Sequence, residues 1–222
     1  YFGNPLEKFE FDNKFYSKSS LNYLLGLTFL KQNSKNFIPS TVLEIGGGFG
    51  ILGEILKYSG IKKLKYINID LPPLSYVTES FLEKIYGSKN VSKYLETRKL
   101  DKINIKKLKK ASSLCSWQIE KLKGKIDLFI NFISFQEMEP DVVENYLSNV
   151  FNLNPKYILL RNLREGKQLK KRNQIGVNKP VKFTHYYSFL KRKYKLINKS
   201  VVPFGLETYD NFHSELLVFK KK

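Results

Sequence analysis

The spacing of hydrophobic positions changes character about forty residues into the chain. Residues 15–31 carry leucines and a phenylalanine at helical spacing, which predicts an amphipathic helix with Ser19 or Ser20 as its cap. After this helix, short apolar runs of strand length alternate with helical segments to the end of the chain. The pattern predicts a helical N-terminal cap over residues 1–40 and an α/β domain over residues 41–222.

The alternation predicts a parallel sheet with helices on both faces. The last two strands are joined by a loop without a helix, which predicts an antiparallel final strand. The dense lysine run within 88–111 gives no clear pattern, and 164–182 is predicted to be an exposed loop. Strands are predicted at 41–45, 65–70, 111–115, 126–130, 157–160, 196–202 and 214–219. Helices are predicted at 51–58, 75–86, 117–123, 140–151 and 185–194.

The charge of the chain is strongly positive, with 39 basic and 20 acidic residues among 222. Thirty-four of the basic residues are lysine and five are arginine, which is the preferred residue for phosphate and base contacts. No stripe of interleaved basic and aromatic residues is visible, so a nucleic-acid partner is not expected. Peripheral contact with a membrane stays open, and the oligomeric state is not indicated.

Two further features narrow the class of protein. No apolar run approaches the roughly 18 residues that a membrane span needs, so no transmembrane segment is expected. The single cysteine, Cys115, excludes an internal disulfide and a multi-cysteine zinc site, and it predicts a reducing, cytoplasmic location. No spacing of acidic residues and histidines indicates a metal site.

The strongest local signal is a glycine-rich turn between the first strand and the following helix of the α/β domain. Gly48 to Gly53 satisfies the dinucleotide pattern G-x-G-x-x-G, whereas Glu44 followed by Gly46, Gly48 and Gly50 forms an acidic-x-Gly-x-Gly-x-Gly pattern. A pyrophosphate needs a helix N-terminus without a nearby carboxylate. S-adenosylmethionine carries a sulfonium and an amino group, for which an acidic residue is favourable. Glu44 therefore favours the methyl donor, while Asp70 would suit the ribose of either cofactor.

Three segments together resemble a known family: VLEIGGGFG at 42–50, IDLPP at 69–73 and SFQEM at 134–138. They are similar to class I S-adenosylmethionine-dependent methyltransferases, and more narrowly to the sugar O-methyltransferases of bacterial surface-polysaccharide loci. The resemblance covers residues 41–222 and implies a Rossmann-like sheet, mostly parallel with an antiparallel last strand.

The resemblance also implies roles for individual residues. Glu44 and the glycine turn would hold the methionine end of S-adenosyl-L-methionine, Asp70 the ribose, and Leu71 the adenine, with Ser116 and Trp117 flanking it. Asn131 ends the fourth predicted strand at the same edge and is assigned to the cofactor side. The cofactor-binding set is thus Glu44, Gly46, Gly48, Gly50, Asp70, Leu71, Ser116, Trp117 and Asn131.

The topology brings both histidines to the edge where the parallel strands end. His185 follows the loop after the fifth strand, and His213 precedes the antiparallel last strand. Transfer of a methyl group to a hydroxyl is helped by a base, and histidine suits that task. His213 is the first candidate, with Glu137 and His185 as alternatives. Glu215 lies in phase with His213 along the strand and is a candidate to orient it.

The sequence thus predicts an S-adenosylmethionine-dependent O-methyltransferase that acts on a hydroxyl of a sugar or nucleotide-sugar in surface-polysaccharide biosynthesis. Two alternatives stay open. One is an NAD-dependent oxidoreductase that uses the overlapping glycine pattern. The other is a basic nucleic-acid-binding protein with a Rossmann-like fold.

Overall fold

The N-terminal region contains a β-hairpin in addition to the predicted helix. The computed structural model describes residues 5–171 and 176–222. Strands β1 (Lys8–Phe11) and β2 (Lys14–Ser17) precede helix α1 (Lys18–Asn33). Asp12 and Asn13 have φ values of 50° and 57°, the conformation of a two-residue hairpin turn. Residues 15–17 therefore belong to β2, and the helix begins later than predicted. Ser17 caps it, because its side-chain oxygen accepts a hydrogen bond from the amide of Ser20 at 3.1 Å.

The remaining elements alternate much as the pattern predicts. The helices are α2 (Ile51–Tyr58), α3 (Leu74–Tyr86), α4 (Tyr94–Thr97), α5 (Pro140–Leu153) and α6 (Phe183–Leu190). The strands are β3 (Thr41–Ile45), β4 (Lys65–Asp70), β5 (Val91–Ser92), β6 (Ile103–Asn104), β7 (Ala111–Cys115), β8 (Leu122–Lys123), β9 (Leu128–Phe132), β10 (Tyr157–Leu163), β11 (Tyr194–Ser200), β12 (Leu206–Glu207) and β13 (His213–Lys221). Short 3₁₀ helices lie at Ser88–Asn90, Ile105–Lys107, Ser116–Lys121 and Phe135–Glu137.

The main sheet has the order β11-β13-β10-β9-β3-β4-β7-β5, with β12 paired to β13. Strands β5, β7, β4, β3, β9 and β10 are parallel to their neighbours, whereas β13 runs antiparallel to both β10 and β11. The predicted fold class, a Rossmann-like sheet with an antiparallel last strand, is confirmed. The order reverses at β3, and ligands of open α/β sheets bind at such a switch point.

Several predicted elements differ from the structure; among them, the strand predicted at 196–202 is β11, which begins and ends two residues earlier. The helix predicted at 117–123 is the 3₁₀ helix Ser116–Lys121 followed by β8, because residues 122–123 pair with the distant β6. The fourth parallel strand lies two residues later than predicted, and α6 ends at Leu190, well before residue 194. Of the predicted loop 164–182, residues 172–175 lie outside the described part of the chain.

The sheet has a buried layer on each face. One layer joins it to α1, α2 and α3, and the other joins it to α5 and α6. Helix α1 packs very closely, since a Cβ on Gly26 would lie 2.3 Å from Cζ of Phe132. The N-terminal helix thus shares its core with the sheet. Among residues 5–171 and 176–222, no helix is both long and apolar enough to cross a membrane.

Candidate functional site

The candidate site lies where the parallel strands end. The carboxyl ends of β3, β4, β7, β9 and β10 share one edge of the sheet, and antiparallel β13 begins at the same edge. We call it the ligand edge. Its loops expose four large apolar side chains, Phe49, Leu71, Trp117 and Ile133, each at least 42% accessible. Apolar side chains at the rim of a polar cleft are typical of ligand sites.

The glycine turn leaves open space above its centre. The amide of Gly46 donates to the carbonyl of Ile69 at 2.8 Å, which joins the turn to β4. Gly46, Gly48 and Gly50 have φ values of 72°, 56° and 89°, a region that side chains disfavour. A Cβ on Gly46 would collide with Ser134, whereas a Cβ on Gly48 would meet nothing within 4 Å. The turn is therefore packed from one side and open at Gly48.

Asp70 ties the turn to the end of β4. One carboxylate oxygen accepts the amide of Gly48 at 2.8 Å, and the other accepts the amide of Leu71 at 2.8 Å. Burial raises the pKa of Asp70, and the two amides offset part of that rise. The side chain of Leu71 is 59% exposed beside it. Asp70 therefore borders the open space at Gly48, while the predicted contacts of Asp70 with a ribose and of Leu71 with an adenine stay predictions.

Glu44 lies beneath the turn. Its side chain is fully buried, one oxygen accepts the hydroxyl of Tyr23 at 2.6 Å, and the other accepts the hydroxyl of Tyr66. Loss of hydration raises the pKa of Glu44 to about 7, although the two hydroxyls oppose the shift. A Cβ on Gly47 would come within 2.4 Å of this carboxylate. Glu44 thus supports the turn from below, and its predicted contact with a cofactor stays a prediction.

The predicted adenine side contains one aromatic residue that the sequence did not single out. Trp117 is 51% exposed and meets Tyr94 edge-on, with ring centroids 6.2 Å apart. The hydroxyl of Tyr146 in α5 hydrogen-bonds with Ser116. Burial raises the pKa of Tyr146. The hydrogen bond with Ser116 lowers this pKa in part, and the negative charge of Asp70 raises it further. Tyr146 reads as an ordinary helix residue in the sequence, so no local signal indicates its place between Ser116 and Asp70.

Asn131 organises the strand ends. Its amide nitrogen donates to the carbonyl of Ile45 at 2.9 Å, and its oxygen accepts the amide of Phe135 at 3.1 Å and Nδ2 of Asn162 at 3.0 Å. These bonds join β3, β9 and β10 and fix the loop that places Ser134 against the glycine turn. The side chain is fully buried, so its predicted cofactor contact also stays a prediction.

A strained residue follows Asn131. Ile133 has a φ of 65°, a left-handed conformation that is a genuine outlier for a β-branched side chain. Its amide donates to the carbonyl of Arg161 at 2.6 Å, which holds the loop in place. Strain of this kind concentrates at functional sites.

His213 is held by a glutamate from the loop after β10. Nδ1 of His213 lies 2.6 Å from Glu165, whose other oxygen accepts the backbone amide of His213 at 2.9 Å. Burial would raise the pKa of Glu165, but these contacts with His213 lower it overall. Nε2 lies 4.0 Å from Glu207. Glu215, the partner suggested by strand alternation, instead pairs with Arg164 at 2.8 Å.

The other two candidate bases are placed differently. Glu137 follows the Ser134 loop, is 44% exposed and pairs with Lys167. His185 is exposed on α6, where its Nδ1 accepts the amide of Lys182 at 3.0 Å. It lines a surface cavity together with Glu144 of α5. The structure thus brings His213 and Glu137 to the ligand edge and turns His185 toward the outer helices.

Arg161 is a buried charge at this edge that the sequence did not single out. It is 1% exposed; its Nε donates to Ser214 at 3.1 Å and its Nη1 donates to Oδ1 of Asn22 at 3.1 Å. No carboxylate among residues 5–171 and 176–222 forms an ion pair with it. The same part of the chain holds no cluster of three metal-ligating side chains.

No protein-family model matches the chain, and no curated protein sequence is significantly similar to it. Solved structures do match. The chain has 12% identity and a TM-score of 0.59 to Burkholderia thailandensis 1,6-didemethyltoxoflavin-N1-methyltransferase with bound S-adenosylhomocysteine, covering 92% of this chain and 80% of that one. The N-terminal domain of EvdMO1, solved in the presence of S-adenosylhomocysteine and D-fucose, gives 10% identity, a TM-score of 0.55 and coverage of 99% and 92%.

Mitomycin 7-O-methyltransferase MmcR matches with 11% identity and a TM-score of 0.55 over 91% of this chain. The chain spans about half of that protein, 54% of its length. At these low identities, the TM-scores of 0.55 to 0.59 show a shared fold alone. The fold is thus that of class I methyltransferases, several of which were solved with the methyl donor or its product bound.

Proposed function

We propose that the protein is an S-adenosylmethionine-dependent methyltransferase. The observation that carries this proposal is the open space above Gly48, bordered by the carboxylate of Asp70. Glycines that are open on one side allow a ligand to approach the backbone closely. A carboxylate at the end of the next strand suits ribose hydroxyls, because it can accept hydrogen bonds from both.

The residues around this space fit the whole cofactor. The glycine turn would hold the methionine end, Asp70 would accept from the ribose, and the exposed faces of Leu71 and Trp117 would cover the adenine. When bound, S-adenosylmethionine supplies an electrophilic methyl group on a sulfonium. Glu44, buried beneath the turn, would favour that positive charge through its field and by keeping the turn in place.

The acceptor would be a hydroxyl of a sugar or nucleotide-sugar, made or used in surface-polysaccharide biosynthesis in the cytoplasm. The pair of His213 and Glu165 supports a hydroxyl acceptor, because a carboxylate that holds Nδ1 leaves Nε2 to receive a proton. The structural match to a domain solved in the presence of D-fucose agrees with a sugar. The chain's own contribution would be to orient the hydroxyl, exclude water and take up its proton.

Calorimetry with S-adenosylhomocysteine and NAD, each titrated into the full chain, tests the cofactor. Binding of S-adenosylhomocysteine without binding of NAD is expected. The reverse preference would overturn the proposal in favour of a dinucleotide-dependent enzyme. Transfer of labelled methyl groups to a panel of nucleotide-sugars, compared with a panel of amines, then tests the acceptor. Methylation of the amines alone would refute the hydroxyl assignment.

A further inference from the structure

Positive charge is concentrated on the edge of the sheet opposite the ligand edge, where the parallel strands begin. The segments that lead into β4, β7, β9 and β11 and the end of β13 are dense in lysine. We define the basic edge as Lys156 and the basic residues within 62–65, 106–110, 123–125, 191–195 and 220–222. Position 156 and these five segments together comprise twenty-one positions, which hold seventeen of the 39 lysine and arginine residues and no aspartate or glutamate.

Hydrogen bonds connect neighbouring segments at both ends of the basic edge. The amide of Lys221 donates to the carbonyl of Lys156 at 2.9 Å, and that of Lys222 donates to Lys193 at 3.0 Å. At the other end, Nζ of Lys65 donates to the carbonyl of Lys106 at 2.6 Å. The edge crosses the strands from β11 to β7. At a spacing of about 4.8 Å between strands, it is about 29 Å long.

Most of this charge has no carboxylate partner in the part of the chain that the structure describes. Among the described residues, two members of the basic edge form ion pairs: Lys109 with Glu96 at 2.7 Å and Lys156 with Asp127 at 2.9 Å. The ligand edge, in contrast, carries Glu137, Glu165 and Glu207 among its exposed or half-exposed groups. The segments of the basic edge thus bring seventeen basic residues and no acidic residue to one edge of the sheet.

Two exposed apolar side chains lie on the same edge. Ile38, in the connection from α1 to β3, and Tyr58, the last residue of α2, are each 70% exposed. They flank the amino end of β3, where the lysine runs are interrupted. A polynucleotide gains little from an isoleucine, whereas a bilayer accepts isoleucine among its acyl chains and tyrosine at the headgroup level.

The predominance of lysine over arginine also favours a bilayer over a polynucleotide. Arg192 is the one arginine of the basic edge, so the forked donors that read phosphates and bases are nearly missing. Two aromatic rings at this edge are covered by lysines: Nζ of Lys193 lies 5.1 Å from the ring centre of Phe151, and Nζ of Lys220 lies 6.0 Å from that of Tyr157. Lysine point charges suffice for a diffuse anionic surface.

We propose that the basic edge binds the surface of an anionic lipid bilayer, with Ile38 and Tyr58 entering the headgroup region. The ligand edge then faces away from the membrane. This orientation depends on the charge distribution and the topology and does not require the proposed methyltransferase activity.

Co-sedimentation of the full chain with vesicles tests the proposal. Vesicles of phosphatidylcholine with added phosphatidylserine should bind the chain, and vesicles of phosphatidylcholine alone should not. The triple variant Lys106→Gln, Lys107→Gln and Lys110→Gln should weaken binding about 100-fold. The matched control, Lys14→Gln, Lys18→Gln and Lys179→Gln, removes three exposed lysines from outside the basic edge and should change binding less than about threefold.

Two further measurements distinguish a bilayer from other polyanions. Ile38→Asn should weaken vesicle binding about tenfold and leave binding to heparin unchanged, whereas Val202→Asn, at a residue 73% exposed outside the basic edge, should affect neither. Trp117, the one tryptophan of the chain, is exposed at the ligand edge, so brominated lipids should not quench its emission.

Three outcomes would overturn the proposal. Equal effects of the two triple variants would show that only the net charge matters. Quenching of Trp117 would show that the ligand edge faces the lipid. Tighter binding of single-stranded RNA than of anionic vesicles at physiological salt, lost in the Lys106, Lys107 and Lys110 variant, would assign the basic edge to nucleic acid.

Discussion

Tyr23 in α1 donates a hydrogen bond of 2.6 Å to Glu44 in β3. The bond joins the N-terminal helix to the strand that leads into the glycine turn, and the ring of Tyr23 also stacks on Phe132 at 5.0 Å. Burial removes this carboxylate from water, and the hydrogen bonds from Tyr23 and Tyr66 offset part of that cost. The pair therefore links the stability of the turn to the protonation of Glu44.

Glu44→Gln should flatten the pH dependence of stability. The pKa of Glu44 is raised from 4.5 to about 7 in the folded chain, so the folded state holds a proton that the unfolded state has already lost. The stabilising contribution is complete below the unfolded value and is lost as the pH rises through about 7. At 1.36 kcal/mol per pKa unit, wild type should lose about 3 kcal/mol relative to the variant between about pH 4 and about pH 8. Urea unfolding at both pH values measures this difference.

Glu144→Gln is the control for this measurement, because it removes an exposed carboxyl group of α5. Its stability relative to wild type should stay constant over the same range. A constant difference for Glu44→Gln as well would show that folding does not shift the pKa of Glu44.

Gly48→Ala should separate the cost of backbone strain from the loss of ligand binding. Gly48 and Gly60 have positive φ values, 56° and 79°, and a Cβ at either would meet nothing within 4 Å. Alanine at either position should cost about 1–2 kcal/mol of stability in urea unfolding. Only the Gly48 variant places a methyl group in the open space of the ligand edge, so only it should abolish binding of S-adenosylhomocysteine in calorimetry. Equal affinities of the two variants would exclude the turn as the cofactor site.

Asp70→Asn should weaken S-adenosylhomocysteine binding about tenfold to 100-fold, because ribose hydroxyls would lose a charged acceptor. The asparagine oxygen can still accept from the amide of Gly48 or Leu71, so the turn should keep its conformation. Asp101→Asn, at an exposed site, is the control and should bind like wild type. An unchanged dissociation constant for Asp70→Asn would refute its assignment to the ribose.

The glycine turn and the strand that ends at Asp70 could be predicted because their signals are local. The alternation of short strands and helices also fixed the antiparallel last strand, since no helix separates it from its predecessor. The partners of Glu44 could not be predicted, because Tyr23 lies 21 residues away and reads as one apolar position of a helix. The same holds for Arg161, whose partner Asn22 is 139 residues distant.

The partner of His213 shows a different limit of sequence reasoning. Strand alternation correctly places Glu215 in phase with His213, but it does not reveal that Arg164 pairs with Glu215. Glu165, in the loop after β10, reaches the imidazole instead. Loops bring distant side chains together in ways that periodicity does not encode.

His213→Ala should reduce methyl transfer by roughly 10²–10⁴, the usual contribution of general acid–base catalysis. Affinity for S-adenosylhomocysteine should hardly change, because β13 lies three strands from β3 and the glycine turn.

Glu165→Gln is the positioning variant of the same pair. It keeps an oxygen near Nδ1 but removes the charge of the carboxylate that holds the imidazole. Turnover should fall less than in His213→Ala, which loses the base itself. If His213→Ala stays within about threefold of wild type, the hydroxyl loses its proton elsewhere. Glu137→Gln is then the next variant to measure, because Glu137 lies in the loop beside the glycine turn and pairs with Lys167.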